Sequence, residues 1–227
     1  MKETIDIYQE IFISNKEFKG EIVEKQIEKY KEIDSIYPQN QSFFIIINTS
    51  TKSYDFVSQN FNFVLGLDIH LMKNLGPEYF LSFIHPEDLP IWLGVSKDLM
   101  DFALQKVDLD DRKKLLFTYN FRIKNIKGKY QNITAHLTPI KFDSTGTPVL
   151  AISHYTVVGE GEFLPIIGSI KKLNKNNVYE TLFYKNYSQE EISNKLSKRE
   201  IDIVQELALN YSSKDIANRL YISSHTV

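Results

Sequence analysis

Five histidines, at positions 70, 85, 136, 154 and 225, and no cysteine make up the soft-ligand inventory of this chain. Without a thiol there is no disulfide, no thiolate zinc site, no cysteine nucleophile and no cysteinyl-flavin photochemistry. The histidines lack the close spacing of a metal site, which leaves them hydrogen-bonding and proton-transfer roles. His85-Pro86-Glu87-Asp88 sets an imidazole beside two carboxylates and has the look of a general acid-base group. No GxxxxGK[ST] phosphate loop, GxGxxG turn, HExxH helix or Gly-x-Ser-x-Gly elbow accompanies it, so no enzyme is expected. Asp108, Asp110 and Asp111 run directly into Arg112, Lys113 and Lys114. That pattern suits a solvated helix-to-strand loop better than a calcium site, which needs more oxygen ligands at defined spacing.

These residues sit in a chain of 227, 42% of it apolar, with 15 Phe and 13 Tyr and a formal charge of -2. The composition is that of a globular protein with a substantial core, and the charge excludes a polyanion-coating protein while leaving room for a local basic patch. The N-terminus has no apolar signal core, and the run Phe43 to Ile47 is far short of the ~20 residues needed to span a bilayer. A cytoplasmic location without membrane contact is the expectation. Periodicity and punctuation divide the chain into four segments: 1–42, 43–158, 159–195 and 196–227. In the first, Phe18, Ile22, Ile27, Tyr30 and Ile33 recur roughly as one helical stripe, which predicts an amphipathic helix ending before Pro38. It either lies on its own domain or pairs with a second copy, and a homodimer is expected.

In the second segment, Phe43 to Ile47 and Tyr54 to Ser58 read as strands of a hairpin. Asn60 to Leu67 reads as a helix stopped at Gly66, and a longer helix runs from Pro86 to about Lys106. Strands follow at Leu115 to Asn125, Lys129 to Ile140 and Val149 to Val158. The third segment is a connector in which NVYETLFYKNY (177–187) alternates enough to form structure.

Two strands, a helical middle and three strands resemble a PAS domain. The matching stretches are VSQNFNFVLGL (57–67), FIHPEDLP (83–90) and the late strands from Phe121 to Val158. The resemblance implies an α+β fold, a five-stranded antiparallel sheet with helices on one face, and a ligand between the two. Phe44, Ile46, Phe56, Phe63, Trp92, Tyr119, Phe121 and His136 are the candidates to line that space; a closed aromatic core is the plainer alternative for each. It also makes His85 a helix-start residue rather than a catalyst, and leaves His136 or His154 as a haem ligand only if one faces inward. No cofactor is required.

The last segment, LSKREIDIVQELALNYSSKDIANRLYISSHTV, places Ser197 three residues before Glu200 and Ser212 three before Asp215, two capping-box spacings ahead of apolar stripes. Asn210 suits the left-handed end of the first helix, and Ser223 the cap of a third. Leu196, Arg199-Glu200, Val204, Ala208, Ser212, Lys214, Ile216-Ala217, Leu220, Ile222-Ser223 and Thr226-Val227 closely resemble the LuxR/GerE-type helix-turn-helix, departing from it at Asn210, Ser213 and Asp215. The resemblance implies DNA as a partner, with Lys214, Ser224, Thr226 and Val227 as contact candidates. Only Ser224 to Val227 follow the third cap, a rise of about 6 Å, so the chain reads as a partial all-α helix-turn-helix ending inside its recognition helix. Lys198, Arg199, Lys214 and Arg219 are balanced by Glu200, Asp202, Glu206 and Asp215. Residues 1–227 alone are therefore expected to bind DNA poorly. The combined expectation is a signal-sensing transcription regulator; the alternatives are a ligand-free interaction module and a cofactor-bearing light, redox or gas sensor.

Overall fold

The computed structural model describes residues 2–11, 21–36, 39, 41–188, 197–208, 211–224 and 226. Phe18, Pro38, Leu196, Asn210, His225 and Val227, with the side chains of Ile22 and Ala208, lie outside the described residues. The chain separates into two compact units, Met1–Lys185 and Asn186–Val227.

Apolar alternation in the late strands builds the sheet of the first unit. β1 (Ser42–Asn48) and β2 (Ser53–Val57) form a hairpin; β3 (Leu115–Lys124), β4 (Tyr130–Phe142) and β5 (Pro148–Glu160) form a meander. Between β2 and β3 come α3 (Asn60–Leu65), α4 (Ile69–Leu75), α5 (Pro77–Leu81), α6 (Asp88–Lys106) and a 3-10 turn (Leu109–Lys114). This is the order expected of a PAS-like domain. The sheet is wider than the expected five strands, however. β6 (Ile167–Leu173) and β7 (Tyr179–Asn186), both from the connector, extend it to seven in the order β2-β1-β5-β4-β3-β6-β7.

Three of its hairpins use one device. An Asx side chain accepts two backbone N–H groups, and the residue three positions on adopts a left-handed φ. Asn125 accepts from Lys127 and Lys129 with Gly128 at φ 79°; Asp143 accepts from Thr145 and Thr147 with Gly146 at φ 78°; Asn174 accepts from Asn176 and Val178 with Asn177 at φ 58°.

The two faces of the sheet are covered by different helices. α6 buries Trp92, Val95, Ser96, Leu99 and Ala103, a helical stripe, against the inner face formed by Phe117, Tyr119 and Phe121 of β3. Phe43 meets Phe61 of α3, and Tyr54 meets Phe80 of α5. On the outer face Phe44, Ile46, Phe56 and Leu150 form a buried cluster on which Ile27 and Tyr30 of α2 (Glu21–Ile36) rest. Two residues of the predicted stripe, Ile27 and Tyr30, therefore cover the chain's own sheet, while Ile33 is exposed. An additional helix, α1 (Lys2–Ile11), packs on α6 and stacks Tyr8 on Trp92 with ring centroids 6.1 Å apart.

The charged motifs turn out to be clamps. Asp88 at the start of α6 accepts from the Arg122 amide at 2.7 Å, Nε at 3.0 Å and Nη2 at 2.5 Å, while the His85 amide donates to the Arg122 carbonyl at 2.8 Å. His85 Nδ1 accepts the Glu87 amide at 3.2 Å, a helix-start contact. Arg112 donates to the carbonyls of Leu104, Val107 and Gly146, tying the end of α6 to the β4–β5 turn. Asp111 pairs with Lys114 at 2.7 Å and Lys172 at 3.0 Å. Among the described residues no group of three or more His, Asp or Glu could hold a metal ion, and no helix is long and apolar enough to cross a membrane.

Candidate functional site

A cavity of about 50 Å³ lies between α6 and the inner face of the sheet. α6 contributes Trp92, Ser96, Leu99 and Met100; β3 contributes Phe117 and Tyr119; β1, β2, β4 and β5 contribute Ile47, Tyr54, Leu137, Ala151 and Tyr155. Tyr8 of α1 closes one side. Among the described residues no charged side chain reaches the wall. Burial is the main cause that pushes the phenols of Tyr8, Tyr54 and Tyr119 well above their ordinary 10, and Tyr155 up to about 12. All four stay protonated at neutral pH, and the cavity is electrically neutral. Trp92, 5% exposed, carries an indole N–H with no hydrogen-bond partner among the described residues. A buried donor left unpaired costs ~1–3 kcal/mol, so this N–H favours an acceptor placed in the cavity.

Of the predicted lining residues, the structure brings Trp92 and Tyr119 to the cavity wall. Phe121 lies one layer behind, its ring against those of Trp92, Tyr119, Phe80 and Tyr155. Phe44, Ile46 and Phe56 belong to the opposite face, beneath α2. Their misplacement has a local cause. Ile46 pairs with Phe56 but Ile47 pairs with Tyr54, so Asp55 is an extra residue in a bulge. The bulge turns Tyr54 inward and Phe56 outward, although residues two apart on a regular strand share a face. Phe63 is 54% exposed on α3, away from the cavity.

His136 is also on the outer face, its Nδ1 3.0 Å from Thr118 Oγ1 and directly opposite His154 across β4 and β5. Burial lowers the pKa of both, with Lys171 adding to the effect on His136 and His136 to that on His154. Neither lines the cavity, so neither is placed to ligate a haem there. Tyr8, Tyr54 and Tyr155 were not among the predicted residues. Tyr8 gave no signal within a flank read as one helix, whereas Tyr155 follows from the inward parity of Ala151 and Ser153 once that parity is known.

The second unit holds α7 (Lys198–Ala208) and α8 (Ser213–Leu220). The capping box is reciprocal: the Ser197 amide donates to Glu200 Oε2 at 2.6 Å, and the Glu200 amide to Ser197 Oγ at 3.3 Å. Ser212 Oγ accepts the Asp215 amide at 3.2 Å and starts α8, whose Ile216 and Ala217 are buried. Two of the four cations of residues 196–227 serve this packing: Arg199 donates to the Leu220 carbonyl, and Arg219 pairs with Glu206 at 2.6 Å while lying over the Tyr211 ring. Lys214, Ser224 and Thr226 are exposed, and Thr226 donates its amide to the Ser223 carbonyl in a final turn.

Comparison with known proteins agrees with this division. Residues 194–227 match the luxR family of bacterial regulatory proteins (GerE), and that stretch is a luxR-type helix-turn-helix segment. No curated protein matches the chain. Among solved structures, the chain is similar to the N-terminal domain of a diguanylate cyclase with PAS/PAC sensor from Marinobacter aquaeolei, at 17% identity over 52% of this chain and 95% of that one, TM-score 0.39. It is similar to the Drosophila melanogaster Cycle PAS-B domain with bound ethylene glycol, at 16% identity over 51% and 98%, TM-score 0.38. It is also similar to the phage VqmA–DPO complex, at 14% identity over 91% and 78%, TM-score 0.36.

Proposed function

We propose that the chain is a one-component transcription regulator of the bacterial cytoplasm in which a small neutral molecule, held between α6 and the sheet, sets the state of the luxR-type DNA-binding unit. The observation that carries this reading is the uncharged cavity with the unpaired Trp92 N–H, on the same chain as a luxR-type helix-turn-helix. A charged ligand would lose its hydration without finding a counter-charge. An uncharged one with an acceptor for Trp92 and groups for the tyrosine hydroxyls gains on each count.

The cavity is about a third of the ~150 Å³ that takes up benzene in an engineered protein. Admission of an organic ligand therefore requires the wall to give, and Met100 and Tyr8 are the parts of it built to do so, one an unbranched side chain and the other on a short N-terminal helix. Ligand contacts that differ between the open and closed arrangements are what couple binding to a conformational change.

On the DNA side, Lys214 is our candidate for a phosphate contact, with Ser224, Thr226 and Val227 at the start of the recognition helix. A homodimer is part of this reading. The alternative is a ligand-free interaction module in which residues 1–42 pair with another chain; Ile27 and Tyr30 of α2, packed on Phe44, Ile46, Phe56 and Leu150, leave less of that flank for a partner.

The test compares native and denaturing masses of the purified chain. The expected result is a small neutral adduct lost on denaturation and reduced by Trp92→Phe. A chain that carries no adduct and whose thermal stability responds to no neutral aromatic or heteroaromatic compound would overturn the reading.

A further inference from the structure

The helix that walls the cavity also holds the strand that leads into the second unit. α6 presents Trp92, Ser96, Leu99 and Met100 to the cavity. Between and just beyond them, Asp98 accepts a hydrogen bond from Lys185 Nζ at 3.3 Å, and the Phe102 ring lies 5.3 Å from that of Phe183, inclined by 52°. Lys185 and Phe183 belong to β7, the edge strand of the sheet and the last element before the second unit.

Tyr179, Glu180 and Thr181 of β7 are exposed, and its backbone is paired on one side only, to β6. β6 in turn pairs with β3 from Leu115 opposite Lys172 to Tyr119 opposite Gly168, directly beside the cavity residues Phe117 and Tyr119. Its start is fixed by Asn120, which donates to the Pro165 carbonyl at 2.9 Å and accepts from the Ile167 amide at 2.8 Å. The hairpin thus has a firm root on β3 and an outer strand none of whose residues is fully buried and which touches α6 through Lys185 and Phe183.

We propose that α6 and the β6–β7 hairpin form the coupling element of this protein: a shift of α6 caused by filling the cavity passes through Asp98 and Phe102 to β7, and along the chain into the luxR-type unit. The proposal rests on the sensor reading above. Its physical basis is a stiffness contrast. A close-packed helix moves as a body and transmits strain, whereas an edge strand with few buried contacts sits at the low-stability end of the fold and responds to small changes in its neighbours.

Xenon is a suitable probe, since it enters dry apolar cavities without polar contacts. In the full chain, methyl NMR signals of Leu99 and Leu137 report filling of the cavity, and amide exchange over residues 167–186 reports the hairpin. The expected result is that xenon shifts both methyl signals and changes β7 exchange by about threefold or more. In Phe102→Leu, and independently in Phe183→Leu, the methyl shifts persist while the β7 response disappears. Methyl shifts with an unchanged β7, or with a β7 response as large in both variants as in the parent, overturn the coupling while leaving the cavity reading intact. Methyl signals that do not move under xenon overturn the cavity reading and the coupling with it.

Discussion

Asp88→Asn decides whether the His-Pro-Glu-Asp segment is a clamp or a reactive group. Asp88 is 2% exposed and takes three hydrogen bonds from Arg122. The other carboxylate in reach of that guanidinium, Glu87 at 3.3 Å, is 76% exposed and screened by solvent. An asparagine keeps the shape and one oxygen, enough to retain the bond from the Arg122 amide, but leaves the buried cation without its counter-charge. Removing one partner of a buried pair costs about 3–5 kcal/mol, and the retained oxygen places this variant near the lower end. With each kcal/mol worth about 2–4 °C in a unit of this size, the midpoint should fall by about 6–12 °C. Adding Arg122→Met removes the orphaned charge and should recover half or more of the loss. Thermal unfolding followed by circular dichroism, on the single and double variants, measures both. A single variant within about 1 kcal/mol of the parent, or a double variant less stable than the single, would refute the clamp.

Three further outcomes are expected. Gly66→Ala puts a Cβ at φ 70° and into the Ile126 side chain, and should cost about 1–3 kcal/mol in urea unfolding; a neutral result would mean that Ile126, which is exposed, simply swings away. Asn174→Ala removes the acceptor of the Asn176 and Val178 amides, at 2.9 Å and 3.0 Å. Loss of two solvent-accessible bonds of about 1 kcal/mol or less each should speed amide exchange at the β6–β7 turn while leaving the β3–β4 turn unchanged. His136 and His154 have folded pKa values below the ordinary 6.5, so below that pH the unfolded chain binds protons that the folded chain does not. Stability should therefore be intact above pH ~6.5 and decline as pH falls through the depressed folded values, and His136→Gln should flatten the decline in pH-dependent denaturant titrations.

The core of the first unit was readable because its elements announce themselves locally. Gly66 stops α3 in a left-handed conformation, and the strands carry period-two apolar runs between turn residues. The same local grammar was present, unread, in the connector. Asn125 to Lys129, Asp143 to Thr147 and Asn174 to Val178 share one spacing of Asx and left-handed residue, and the third copy differs only in having Asn177 where the others have glycine. Reading that repeat would have predicted the β6–β7 hairpin. The separate α1 had no such mark, because the flank was read as one stripe and the residues that give α1 its place, Trp92 and Lys52, are remote in sequence.

The candidate site was harder to read for a reason that lies in strand geometry. Composition identifies aromatic residues near a sheet, but which of two neighbours faces a cavity depends on parity, and parity on β1 hung on nothing that the continuous run Phe43 to Ile47 displays, since every residue in it but Ile47 is buried. On β2 parity changes midway, at Asp55, so even a correct assignment of Tyr54 would have misplaced Phe56. Tyr119 lies on a strand, Leu115 to Ile123, whose apolar residues alternate cleanly and so fix its face without reference to a partner strand, whereas α6 around Trp92 is apolar on most sides and its buried stripe shows only in the structure. The bulge also explains how one hairpin serves two layers. Tyr54 lines the cavity, and Phe56 supports α2 on the other side of the sheet. Deleting Asp55 would leave Tyr54 opposite Ile47 and Phe56 opposite Ile46, each on its present face, so the deletion should regularise the ladder and preserve both the cavity wall and the seat of α2; replacing the bulge by a shifted register would instead turn one of the two layers over.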